Sequence, residues 1–123
     1  MASKIISHAQ QYNNYTEAQM YDVFINNGFS YNTAWCADFV VFNSKMVGCT
    51  DIPDIRLTPT MAKWFYEKGR FYLTTASTNW TGGTWSKPTG LVRNTSFIPK
   101  SGDICFFENG SNFADGIDHV GIV

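Results

Sequence analysis

The chain reads as a single α+β domain, and three observations carry that reading. Apolar residues recur at helical spacing through residues 3–69. Two short apolar runs, 104–107 and 119–123, then close the chain as antiparallel strands. Helices first and strands last is an α+β order, unlike the alternation that builds a parallel sheet. At 123 residues the chain can bury one modest core, and no internal repeat or linker divides it.

Each element has its own signal. Residues 3–13 place Ile5, Ile6, Ala9 and Tyr12 at helical spacing, with His8 expected on the surface. Thr16-Glu17-Ala18-Gln19 opens a second helix with Met20, Val23 and Phe24 on one face, and Asn27-Gly28 stops it. Tyr31-Asn32 is a loop. The third helix is the clearest: Thr33 is the expected cap, Cys36, Phe39, Val40, Asn43 and Val47 form one stripe, and Gly48 ends it. Pro53 and Pro59 bracket a loop. Thr60 then opens a fourth helix, with Met61, Trp64 and Phe65 on its apolar side and Gly69 as its stop. Phe71-Tyr72-Leu73 is expected as a short strand. Residues 74–96, rich in Thr, Ser, Gly, Asn and Trp, read as a long surface loop or irregular hairpin. Pro99-Lys100-Ser101-Gly102-Asp103 is a turn feeding the strand Ile104-Cys105-Phe106-Phe107, and 109–116 is a second turn region.

Composition narrows the function classes. A net charge of −1, with signs mixed and no Lys/Arg run, leaves no electrostatic footprint for nucleic acid or an anionic membrane surface. No apolar run approaches a membrane span, so no membrane insertion is expected. Charged residues make up only 15%, against 16% aromatics, which favours contact through hydrogen bonding and stacking, as carbohydrate or peptide ligands require. The N-terminus lacks the apolar core of a secretory signal, which predicts synthesis in the cytosol and, for any extracellular action, another route outward or a removed leader. Three cysteines without regular spacing, and two histidines, argue against a disulfide framework or a zinc site.

Two residues carry the chemistry. The unpaired amide N–H groups in a helix's first turn favour a thiolate, and Cys36 falls in such a turn. The same amides, the backbone N–H of Cys36 first among them, suit a developing oxyanion. His119 begins an apolar strand, a rigid mount for an imidazole that takes a thiol proton and later protonates a leaving amine. The plain alternatives are a cysteine buried as a small hydrophobe and a structural histidine. Cys49 and Cys105 read as packing residues.

Three ordered blocks sharpen the choice. Trp35-Cys36-Ala37-x-Phe39-Val40, Ile98-Pro99-Lys100-x-Gly102-Asp103-Ile104-x-Phe106-Phe107 and His119-Val120-Gly121-Ile122-Val123 closely resemble the cysteine- and histidine-dependent amidohydrolase/peptidase (CHAP) family. Met61-Ala62-Lys63-Trp64-Phe65, followed by Arg70-Phe71, resembles it too. The resemblance implies a papain-like fold, with N-terminal helices packed on a small antiparallel sheet, that cleaves amide bonds of bacterial peptidoglycan without a cofactor. Cys36 would be the nucleophile and His119 the general base and acid. Asp103 resembles the family's structural turn carboxylate. Asp118 adjoins the histidine, but neighbours on a strand face opposite ways, so a turn role is expected. The family's third, orienting member lies on a strand after the histidine strand. The domain, 1–123, is therefore expected to be incomplete at its C-terminus, with a missing segment or another chain completing the sheet.

Trp80, Trp85 and Tyr72 are candidates for a substrate groove, or else covers for the core. The 109–118 loop has oxygen-bearing side chains but not the alternating spacing of a calcium loop, so no metal is expected. The expected activity is that of an N-acetylmuramoyl-L-alanine amidase or a stem or cross-bridge endopeptidase, in the setting of a phage lysin, tail-associated lysin or otherwise exported enzyme. A non-catalytic wall-binding or assembly module with the same fold, and an effector-type amidase toxin, are the alternatives.

Overall fold

A computed structural model of the chain describes residues 2–30, 35–72, 96–107 and 119–123. Four helices, α1 (Ala2–Gln10), α2 (Glu17–Asn26), α3 (Cys36–Met46) and α4 (Thr58–Glu67), precede two strands, β1 (Ile104–Phe107) and β2 (His119–Ile122). The fold is α+β. The helices begin and end for local reasons. Thr16 caps α2 through a reciprocal capping box with Gln19. The ends of α2, α3 and α4 share one hydrogen-bond pattern. At the end of α3, Cys49 N–H bonds Ser44 O at 2.9 Å and Gly48 N–H bonds Lys45 O at 3.1 Å. Gly48 takes φ +71, which any side chain would strain, so glycine is the natural stop.

Two boundaries differ from the sequence expectation. Helix α4 starts at Thr58 rather than Thr60, because Pro59 fits the first turn, where its missing N–H has no helical partner. Helix α1 ends at Gln10, and residues 11–14 continue as turns. Phe71 and Tyr72 form no strand, and Leu73 lies outside the described residues.

Helix α3 is the centre of the molecule. Its stripe predicted one buried face, but Ala37, Asp38, Val40, Val41, Phe42, Asn43 and Ser44 are all buried. The cause is packing on two sides. On one side Met20 and Phe24 of α2 close on Phe42, with Tyr12, Phe29, Trp35 and Phe39 packed around them. On the other, Ala37, Val40 and Val41 meet Met61 and Phe65 of α4 and Val120 of β2.

The sheet sits on that second side. β1 and β2 pair antiparallel, with Phe106 opposite Val120 and Phe107 opposite His119. Side chains alternate across a strand, so Ile104, Phe106, Val120 and Ile122 present one apolar face to the α3–α4 core.

His8 corrects its surface assignment. It is half-buried, and its ring stands 5.6 Å from that of Phe42 and 5.5 Å from that of Tyr12. Asn43 Nδ2 donates to Phe39 O at 2.8 Å, which fixes the amide orientation and leaves Oδ1 as acceptor. His8 Nδ1–H therefore donates to Asn43 Oδ1 at 2.6 Å, fastening α1 to α3. Burial, reinforced by Tyr15, pushes the Tyr12 phenol above its ordinary range.

Candidate active site

Cys36 is the first residue of α3, not a residue three positions into it. Trp35 O accepts the first ladder bond, from Phe39 N–H at 2.9 Å, so Trp35 holds the cap position. Thr33, the expected cap, lies outside the described residues. Trp35 makes no side-chain cap bond. The first-turn amides of α3, that of Cys36 included, therefore precede any intrahelical acceptor and leave partial positive charge at the thiol. The thiol itself is half-buried and packs on the core cluster that contains Val120, the neighbour of His119.

A second helix start meets it. Cys36 Sγ lies 3.3 Å from Thr58 Oγ1, and Thr58, the first residue of α4, is only 6% exposed. Among the described residues, the hydrogen-bond partner of the thiol is this hydroxyl and not the His119 ring. His119 is half-buried at the first position of β2, the strand that packs on α3. The fold thus brings the two helix starts together at the sulfur and carries the strand of the histidine against the cysteine helix.

Asp38 closes the electrostatics of the α3 start. It is fully buried in the first turn, where a carboxylate complements the helix dipole, and its Oδ1 accepts from Arg56 Nη1 at 3.2 Å. Arg56 also donates from Nε to Asp54 Oδ1 at 2.8 Å and stacks over Phe29, 4.9 Å from the ring centroid. Lys45 pairs with the other oxygen of Asp54. The Lys45 hydrogen bond first, and then that of Arg56, hold the Asp54 carboxyl below the usual carboxylate range. Sequence reasoning missed Thr58, Asp38 and Arg56. The only sequence signal was an acid in the first turn of a helix.

The remaining candidates fall elsewhere. Asp103 Oδ2 accepts from Lys100 N–H at 2.7 Å, and Asp103 N–H donates to Lys100 O at 2.9 Å. The turn then ties to the far strand, since Gly102 N–H donates to Val123 O and Val123 N–H to Asp103 O, each at 2.9 Å. Tyr72 is exposed and stacks on Phe97, with ring centroids 4.3 Å apart. A cavity of about 530 Å³ takes in Tyr72, Phe97, Arg70, Lys100, Asp103 and Cys105 in its wall, but neither Cys36 nor His119. Cys36, Cys49 and Cys105 are all free thiols. Trp80, Trp85, Asp118 and the 109–118 loop lie outside the described residues.

Among the described residues, no three His, Cys, Asp or Glu side chains gather as a metal site, and no helix is long and apolar enough to cross a membrane. No curated protein and no solved structure matches the chain. The CHAP domain, a papain-like fold whose members are generally hydrolases, matches residues 26–123, from the end of α2 through β2. The chain belongs to the CHAP domain family.

Proposed function

We propose that the chain is a peptidoglycan hydrolase that opens an amide bond through an acyl-thioester on Cys36, with His119 as general base and acid. The observation that supports this most is the placement of Cys36 as the first residue of α3, with the strand of His119 packed on that helix. In the first half-reaction the thiol proton passes to the imidazole as sulfur attacks the carbonyl of a muramoyl–alanine or stem-peptide amide. The C–S bond forms, negative charge moves to the carbonyl oxygen, and the Cys36 amide N–H is the first candidate donor for it. The C–N bond then breaks as the imidazolium protonates the departing amine. Water, deprotonated by the same imidazole, next attacks the thioester, releasing a carboxylic acid and restoring the thiol. In the resting enzyme such catalytic hydrogen bonds are often loose and tighten with substrate in place. That accommodates a thiol that rests on Thr58.

The reading extends to one domain over 1–123, with peptidoglycan as partner, acting at the bacterial wall after phage release or export. Asp103 serves as a structural residue, because its oxygens and amide are spent on the turn that joins β1 to the end of β2. Tyr72 is a groove candidate of lower rank.

Mass analysis of purified cell walls digested by the chain tests the proposal. New amino termini of alanine would identify a muramoyl amidase; interior or cross-bridge termini would identify an endopeptidase. Walls that retain the protein on sedimentation but release no new amino groups would refute the hydrolase and favour a binding module.

A further inference from the structure

We infer that Thr58 is a positioning residue for the Cys36 sulfur, a hydroxyl that follows the thiol through its change of charge. The inference rests on the reading of Cys36 as the nucleophile. Thr58 is a polar side chain more than nine-tenths buried, and its hydroxyl points at the sulfur across 3.3 Å. That hydroxyl is not spent on its own helix: Leu57 holds the cap position of α4, without a side-chain bond. The first ladder bond of α4 runs from Met61 N–H to Leu57 O at 2.9 Å, so backbone alone starts the helix.

A threonine hydroxyl both donates and accepts. Facing a neutral thiol, it can accept the S–H proton in a hydrogen bond. Facing a thiolate, which only accepts, it rotates and donates. Loss of the thiol proton therefore costs the pair no hydrogen bond, and the charged form gains a stronger one. The N-terminal ends of α3 and α4 both lie at this contact, and neither cap residue makes a side-chain bond, although the α3 end also carries the Asp38 carboxylate. Among the described residues, the titratable and charged groups on the surrounding elements are few. His119 stands on β2, Asp38 on α3 is paired with Arg56, and the first turn of α4 carries no acid. Nothing in the sequence marks Thr58, because it lies 22 residues from Cys36 and belongs to another helix.

The test follows Cys36 itself in the full chain, by alkylation with iodoacetamide and peptide mass analysis that resolves it from Cys49 and Cys105. Thr58→Val should slow alkylation of Cys36 about tenfold near neutral pH, with the gap closing at alkaline pH, as expected when one hydrogen bond to the charged form is lost. Thr58→Ser should stay within about twofold of the parent, since it keeps the hydroxyl. If the valine distorts the site, Thr58→Ala gives the same comparison, with folding checked by circular dichroism. On cell walls the Val and Ala variants should lose kcat while KM holds. Val and Ala variants that alkylate as fast as the parent near neutral pH would overturn the inference, as would a Ser variant as slow as Val. Failure of the parent to release wall fragments would refute the hydrolase reading instead, and the alkylation result would still decide the role of Thr58.

Discussion

The two sides of α3 do different work. Toward α2 lies a cluster of Phe24, Phe42 and Met20 ringed by further aromatic side chains, locked further by His8 on Asn43. Toward α4 and β2 lies a mixed core of Val40, Val41, Met61, Phe65 and Val120, with Cys36 and Thr58 at its rim. The CHAP match begins at residue 26, so α1, Met20 and Phe24 precede it, while Cys36, Thr58 and His119 fall inside it. One helix thus anchors a structural layer and carries, at its first residue, the proposed nucleophile. A nucleophile at the end of a helix gains precision when the rest of that helix cannot move, and burial on both sides supplies that rigidity.

The largest expected effect separates the two sides most sharply. Cys36→Ala should lower wall hydrolysis by roughly a thousandfold or more, while thermal unfolding stays close to that of the parent. Hydrolysis that survives the substitution would remove the chemistry from this side altogether. Phe24→Ala should do the reverse. It opens a cavity around a fully buried ring and should cost about 3–5 kcal/mol in denaturant unfolding. Turnover per folded molecule should change little, and a matching loss of kcat would mean that the α2 side also tunes the site.

Smaller effects probe the join between the sides. Asp38→Asn weakens the pair to Arg56 and removes a buried negative charge from the first turn of α3. Because Arg56 keeps Asp54 and remains partly exposed, the expected loss is about 1–3 kcal/mol by denaturant unfolding. No change in stability would show that the buried pair does not hold the α3 start. The smallest effect is in acid. Asp54 is held below the ordinary carboxylate range by Lys45 and then Arg56, so its folded form binds protons more weakly than its unfolded form. Its stabilising contribution is fully present above the ordinary carboxylate range and fades as pH falls through the lowered folded value. Half-exposure and salt keep it small, so the acid limb of stability for Asp54→Asn should be only slightly flatter than that of the parent. A large flattening would mean that Asp54 supports the Asp38–Arg56 pair far more than its exposure implies.

The sequence by itself determined what depends on neighbours along the chain. Glycine stops at 28, 48 and 69, the Thr16 capping box and the Asp103 turn are all set within about six residues of backbone, where local hydrogen bonds decide. Periodicity and apolar runs also placed Cys36 in the first turn of a helix and His119 at a strand start, and the family blocks singled out the pair. Tertiary structure alone decided the rest. The bond of His8 to Asn43 spans 35 residues, that of Cys36 to Thr58 spans 22, and that of Arg56 to Asp38 spans 18. A one-sided stripe became a helix buried on both sides because α2 and the α4–β2 layer close on it from two directions. Periodicity records that a face is apolar. Which elements arrive to cover it, and which polar group they bring to the thiol, is settled only when the chain is packed.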